Sequence, residues 1–403
     1  MRAEDIPLLR RVAAFGFIVV CYAFYSYAWN TVDVLRPYIR ASASLSLQQA
    51  GLLYTFQSLG ALLGALTIGQ LADRFGKRNL LCVVTLGYGL ALLAGVVTNS
   101  FAALAAQRLV LGLFLGGVFS VCVGLYVGLF SAPVRGRLAS VVAAMYTLGF
   151  IAQGWLAGQL LDHDWTLMLW IGAVPPIVLA LFSFWAVPDD QRYIPFGGGA
   201  STAPAAKLPI IELFQPQYRR RTLMLTLLSA LSFFGYQAFG GWVTTYLKEV
   251  RQLGGEGIGA LVAWQGMGGL LGGFVWGWVA DRFGRRVNAI GFIATAAMIV
   301  AYLHAPNDQT LLGSLGFAYG FFISAGVAWG VYFAELYPEH LRSTAASIFH
   351  WGRALSFFAP ALTAAVADLA GLTTGMMLAA LLYLLAAGVW LMLPETLVRK
   401  PRP

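Results

Sequence analysis

Twelve apolar runs, each close to the ~20 residues that a helix needs to cross a bilayer, occupy most of the chain. They cover approximately residues 12–36, 47–72, 79–98, 101–130, 138–161, 166–187, 222–247, 257–280, 287–304, 309–336, 343–370 and 372–393. In hydrocarbon every backbone N–H and C=O must be bonded within the protein, so only helices or a closed barrel can satisfy such runs. The ten-residue alternation of barrel strands is absent, which leaves helices. Composition agrees: of 403 residues only 11% are charged, against roughly 25% in soluble domains. A secreted disulfide scaffold, a disordered hub and a cytosolic enzyme are excluded on that ground. The expected class is an all-α membrane protein with twelve transmembrane helices.

The net charge of +9 raises nucleic acid as a partner, and the placement of the charge removes it. With the amino terminus inside, 20 of the 26 basic residues fall in inner loops and termini. Arg36, Arg40, Lys248 and Arg251 face outward, and Arg108 and Arg353 lie within runs. This is the positive-inside bias, and it predicts both termini in the cytoplasm. Cys21, Cys82 and Cys122 sit inside apolar runs without metal-ligand spacing and read as small buried hydrophobes. The first run continues past any signal-peptide length without a small-residue cleavage site, so it is expected to stay as a helix.

The chain divides in the middle. Residues 188–221 carry five prolines, the Gly197–Gly199 run and the cluster Arg219–Arg221, and read as a cytoplasmic linker with room for one short surface helix. The expected domains are therefore a first bundle at 1–187, the linker at 188–221 and a second bundle at 222–403. The halves repeat each other. GQLADRFGKR starts at Gly69 and GWVADRFGRR at Gly277, 208 residues later. Pro133 and Arg137 are echoed by Pro338 and Arg342 at an offset of 205. Two landmarks at nearly constant offset indicate duplication of a six-helix unit.

The G-x-L-A-D-R-F-G-K-R loop and its echo resemble the signature loop of the major facilitator superfamily, over essentially the whole chain. The resemblance implies two pseudo-symmetric six-helix bundles rocking about a central cavity, and a gating role for Asp73 and Arg74 and their repeats Asp281 and Arg282. The run ELYPEHLRSTAAS, then WGRALS and LPETL, is similar to the branch that holds aromatic-acid and metabolite proton symporters and organic-ion transporters. In its organic-anion members an arginine matches Arg353. Two features depart from the aromatic-acid pattern. Tyr25–Ala28 stands where those symporters carry D-G-x-D, and Phe130 stands in the first half where Glu335 closes the tenth run.

Depth selects the charges that matter. Arg353 lies 11 residues beyond Arg342, about 16 Å into the membrane, near the midplane of a ~30 Å core. Arginine at that depth faces a cavity or a buried partner, and its planar fork suits a carboxylate; a structural ion pair is the competing reading. His350, Arg353 and Phe357 share a helical face. In the first run Tyr22, Ser26, Trp29 and Asp33 form a stripe bordered by Asn30. Asp33 is a proton-coupling candidate, although its place near Pro37 at the outer surface also fits simple solvation. Arg108 is the second coupling candidate, with a buried partner for polar groups of the first run as its alternative. Tyr146, Gln153, Gln237, Gln265 and Gln57 are further mid-helix candidates for the cavity wall.

No phosphate loop, metal cluster or nucleophile–base arrangement appears, so no metal or cofactor is expected and transport must draw on ion gradients. The functional expectation is alternating-access, proton-coupled symport of a small organic anion, a carboxylate by preference. Its setting is the inner (plasma) membrane, with protons and the lipid bilayer as partners and a functional monomer. The alternative is a proton/drug antiporter or an anion exchanger of the same fold.

Overall fold

The computed structural model describes residues 2–196, 209–338, 341, 345 and 348–397. Among them, twelve helices are long and apolar enough to cross a membrane. The chain forms two compact units, Met1–Ser201 with Leu253–Gly259, and Thr202–Gln252 with Ala260–Pro403.

Unit 1 contains α1 (Leu8–Val34), the short α2 (Arg36–Ser42), α3 (Leu47–Phe75), α4 (Lys77–Ala94), α5 (Phe101–Leu129), α6 (Ala132–Leu160) and α7 (Thr166–Ala186). Local chemistry marks the starts. Ser46 and Gln49 form a reciprocal capping box at α3, and Ser100 accepts from the Ala103 amide at α5. α3 packs mainly on α5, α4 on α7 and α1 on α6. Lipid gives helices no hydrophobic reason to associate, so close backbone approach must supply the packing. At the α3–α5 crossing a Cβ on Gly60, Gly64, Gly112 or Gly116 would collide with the carbonyl oxygens of Leu109, Leu113, Gln57 and Ala61 respectively.

Unit 2 contains α8 (Pro209–Glu212), α9 (Pro216–Phe239), α10 (Val243–Thr245), most of α11 (Gly255–Phe283), α12 (Ala289–His304), α13 (Gln309–Ile323), α14 (Trp329–Glu335), α15 (Ile348–Leu355), α16 (Ala359–Ala370) and α17 (Leu372–Met392). α11 and α13 repeat the glycine crossing: Gly268, Gly272 and Gly320 abut the carbonyls of Phe317, Phe321 and Gln265. The pairs Gly60/Gly268, Gly64/Gly272 and Gly112/Gly320 are each 208 residues apart. The duplication therefore reaches into helix packing as well as the loops.

Among the described residues, several runs besides the first, which breaks at Leu35, are not continuous helices. The seventh breaks at a 3₁₀ turn, Gly240–Trp242, and ends in a π turn, Tyr246–Val250; two adjacent glycines weaken the helix there. The tenth is interrupted by a 3₁₀ turn at Ser324–Ala328. The eleventh is interrupted at Ser356–Phe358, just before Pro360, which has no N–H to return to the Ser356 carbonyl.

The segment expected as a linker also differs at its start. Residues 188–196 form a strap over one end of unit 1, where the Ala3 amide donates to the Ile194 carbonyl at 2.8 Å and the Phe196 amide to the Gly128 carbonyl at 3.1 Å. α9 then begins at Pro216, inside that segment. The Gly197–Gly199 run, Pro204, Lys207 and Arg342 lie outside the described residues.

Candidate functional site

Three groups of polar side chains stand out: the signature-loop corners, a buried charged cluster in unit 1, and Arg353 in unit 2.

Both corners are built on a glycine with positive φ, 91° at Gly76 and 111° at Gly284, which turns the chain from one helix into the next. In each, one carboxylate accepts two backbone amides at the start of the following helix. Asp190 takes the Lys77 and Arg78 amides at 2.8 and 2.9 Å, and Glu395 takes those of Arg285 and Arg286 at 2.9 and 3.0 Å. Helix starts favour anions in this way. Neither cap was anticipated from the sequence. Each follows a proline, in VPDD and LPET, and the two acids are 205 residues apart, a signal that was available.

The expected gating set is redistributed. Asp73 pairs with Lys77 at 3.0 Å and Asp281 with Arg285 at 2.5 Å, in both cases the residue four positions on, just past the glycine. Arg74 instead lies over the Phe75 ring, and Arg282 is exposed. In unit 2 Arg285 also makes a two-pronged pair with Glu335, at 3.0 and 3.2 Å. Burial disfavours the charge on Glu335, yet hydrogen bonds from Arg285 and Thr396 hold its carboxyl below the usual range. Burial likewise opposes ionisation of Glu395, and four backbone amides outweigh it.

The second group departs from one expectation. Asp33 is not simply solvated at the surface: it and Arg36 are buried together. They form a 2.6 Å ion pair, with Asp33 7% and Arg36 1% exposed. α1 ends at Val34 and α2 starts at Arg36, so the pair bridges the break at Leu35 over three positions. Burial opposes the charge on Arg36, and Asp33 restores part of it. Arg108, also 1% exposed, donates to Thr31 Oγ1 at 3.0 Å and Gln57 Oε1 at 3.3 Å. Gln57 in turn donates to the Trp29 carbonyl at 2.9 Å, so its amide ties α1, α3 and α5 together.

Lower on α1 the candidate stripe is buried. Ser26 donates to the Tyr146 carbonyl at 2.6 Å and Asn30 to the Ser26 carbonyl at 2.8 Å; Gln153 donates to the Tyr27 carbonyl at 3.2 Å. Ser26 and Gln153 thus tie α1 to α6, and Asn30 bonds back within α1. The aromatic members gather instead. Tyr22 meets Tyr25, Tyr146 and Phe119 at ring-centroid distances of 5.0, 6.2 and 6.3 Å, and Tyr25 meets Trp29 at 6.2 Å. An aromatic patch thus occupies the stretch matched to D-G-x-D.

In unit 2 Arg353 is half-buried, with its guanidinium carbon 5.6 Å from the centre of the Phe233 ring, a cation–π geometry. The helix breaks three residues later, and Ser356 Oγ bonds back to the Arg353 carbonyl at 2.7 Å. Gln237 is 2% exposed and Gln265 half-buried. The His350 side chain lies outside the described residues.

Comparison with known proteins fits this architecture. The profile of the Major Facilitator Superfamily matches residues 18–262 and 251–403. The cis,cis-muconate transport protein of Acinetobacter baylyi is 28% identical, over 80% of this chain and 79% of the relative. The gallate transporter of Pseudomonas putida is 26% identical, over 84% and 82%. Among solved structures, a bacterial homolog of the human lysosomal transporter Spinster superposes with a TM-score of 0.77 at 16% identity, over 96% of this chain and 97% of that one. These are transporters, not enzymes. A multi-pass membrane chain with twelve spanning helices, a duplicated signature loop and that profile across both units belongs to the major facilitator superfamily.

Proposed function

We propose that this chain is a proton-coupled symporter that carries a small organic carboxylate across the inner (plasma) membrane by alternating access, with both termini in the cytoplasm. The observation that carries the reading is Arg353, a guanidinium retained inside a membrane span, half-buried and resting on Phe233 beside a broken helix. A cation at that depth is unfavourable by a few kcal/mol, and interrupted helices are tolerated in membranes where they line protein or water. Both features suit a binding site. The kinship with muconate and gallate transporters supports a planar, conjugated acid, and the Tyr22–Tyr25–Trp29–Tyr146 patch supplies faces for such a ring. Asp33 is the proton carrier in this reading.

The test is counterflow in proteoliposomes with a panel of mono-, di- and aromatic carboxylates, including muconate and gallate, with and without a pH gradient. At least one should exchange, and an inside-acid gradient should drive its efflux. Arg353→Lys should weaken binding and Arg353→Ala should nearly abolish it, because losing a charge-assisted pair is worth about 1.5–3 kcal/mol, a tenfold or greater change. An Arg353→Ala protein that is folded and binds as tightly as the parent would make Arg353 structural and remove the main support for an anionic substrate.

A further inference from the structure

Phe130 stands in unit 1 where unit 2 carries Glu335, and two guanidiniums gather around it. Arg11 lies over the Phe130 and Phe196 rings at 6.0 and 5.2 Å and donates to the Leu129 carbonyl at 3.4 Å. Arg135 donates to the Phe130 carbonyl at 2.9 Å and to the Phe196 carbonyl at 3.0 Å. Both cations thus engage the same two phenylalanines. Among the described residues neither makes an ion pair with a carboxylate. The acids of this end are committed elsewhere. Asp189 pairs with Arg78 and Arg192, each at 3.1 Å, Asp190 caps α4, and Asp5 accepts the Arg2 amide at 2.6 Å.

Partial charges do not balance the two arginines. Leu129 and Phe130 end α5, and a helix C-terminus carries only about half a negative charge, against two full positive ones. Arg11 and Arg135 are each the fourth residue of their helices, α1 and α6, and neither helix start has a side-chain cap. Those starts add positive partial charge and unsatisfied amides of their own. The corner is therefore short of negative charge by more than one full unit.

Depth says where that charge can come from. A fourth residue lies about 5 Å along its helix, so both guanidiniums sit at the level of lipid headgroups, outside the hydrocarbon core. Both side chains are half-buried and remain within reach of a ligand. Leu8, Leu9 and Val12, within one turn of Arg11, are exposed. A phospholipid meets both features, with acyl chains for the apolar residues and a phosphate for the arginines. We propose that Arg11 and Arg135 bind the phosphate of an anionic phospholipid, which gives unit 1 the negative charge that Glu335 gives unit 2. Forked guanidiniums suit phosphate oxygens, and basic residues at helix ends attract anionic headgroups. Arg10, exposed beside the pair, disfavours a headgroup that carries an ammonium. The bound lipid ties α1 to α6 and to the end of the strap. The site involves neither the carried substrate nor the proton carrier.

Native mass spectrometry of the full purified chain, titrated separately with phosphatidylglycerol and phosphatidylcholine of the same acyl chains, tests it. The parent should bind its first phosphatidylglycerol about tenfold more tightly than phosphatidylcholine, the worth of one charge-assisted pair. Arg11→Gln and Arg135→Gln should each close most of that gap. Arg137→Gln, which removes an exposed cation two positions on, should keep it. Equal affinities in the parent, or an undiminished gap in either Arg11→Gln or Arg135→Gln, overturns the proposal. So does an equal loss in Arg137→Gln, which would make the attraction diffuse. Free phosphate is the other source of the same chemistry: millimolar inorganic phosphate should leave the lipid bound, and displacement by it would make this a site for a soluble anion and overturn the assignment. Should a glutamine variant not fold, the parent decides with phosphatidylglycerol that carries a photoreactive headgroup. The labelled peptides should contain residues 8–12 or Arg135, and labelling confined to other segments overturns the proposal equally.

Discussion

The two signature corners begin from nearly the same ten residues and are clasped by different chemistry. Both turn on a glycine and both start the next helix on a doubly accepting carboxylate, Asp190 or Glu395. In unit 2 the clasp is ionic, with Arg285, buried to 9% side-chain exposure, held between Asp281 and Glu335. In unit 1 the place of Glu335 is taken by Phe130. There Arg135 donates to the Phe130 and Phe196 carbonyls, Arg11 lies over both rings at 6.0 and 5.2 Å, and Phe15 meets Phe130 edge-on. The glycine and the cap define the corner's geometry. Unit 1 keeps ion pairs at its corner as well, Asp73 with Lys77 at 3.0 Å and Arg78 with Asp189 at 3.1 Å, so the difference lies at the neighbouring helix end, where a carboxylate in one unit is replaced by a ring in the other.

The largest break in that comparison should come from Phe130→Ala. Phe130 is 7% exposed, and truncating a buried Phe costs about 3 kcal/mol or more. The thermal midpoint of the purified protein should fall clearly, and more than for any single change to the ionic clasp. An unchanged midpoint would show that Phe130 holds nothing.

Next in size is the asymmetry between the glycines. Alanine at either position meets backbone strain of order 1–3 kcal/mol. At Gly284 the new Cβ would also stand 2.5 Å from Glu395 Oε2, whereas at Gly76 it meets the flexible Gln191 side chain at 3.2 Å. Gly284→Ala should therefore lower the thermal midpoint more than Gly76→Ala. The reverse order would mean that the Glu395 cap yields more easily than its four amide bonds imply.

Glu335→Gln should have the smallest effect, about 1 kcal/mol, since Glu335 is a third exposed and solvent screens such pairs. Its signature is a pH dependence. The folded-state pKa values of Glu335 and Glu395 are depressed, so the stability they confer is present above the ordinary carboxylate value of about 4.3. It is lost as pH falls through the lower folded values. Unfolding measured between pH 7 and pH 3 should show this acid loss in the parent and less of it in Glu335→Gln. Equal losses in the two proteins would remove Glu335 from the clasp.

The fold was legible because its signals are local and redundant: run lengths, turn glycines and a ten-residue loop that occurs twice in nearly the same form. The site was legible only in part. Arg353 was singled out by depth alone, since helix rise converts sequence separation into distance. The burial of Arg36 was not legible because counting charges by loop treats every cation beyond a run as solvated. Asp190 and Glu395 act across 113 and 110 residues, beyond any helical spacing. Ser26, Asn30 and Gln153 had the right polarity for a cavity wall, yet their atoms meet backbone carbonyls.

The sequence by itself determined that this chain spans a membrane twelve times, that its halves are duplicates, and which family it resembles. Hydrophobic length and repeated motifs carry that information without reference to distant contacts. The tertiary structure alone decided which charges meet. Arg36, the first residue of α2, and Arg108, the eighth of α5, look alike on the page. One is tied to Thr31 and Gln57 and the other to Asp33, because partner choice in low dielectric depends on ångström-scale distances that only packing sets.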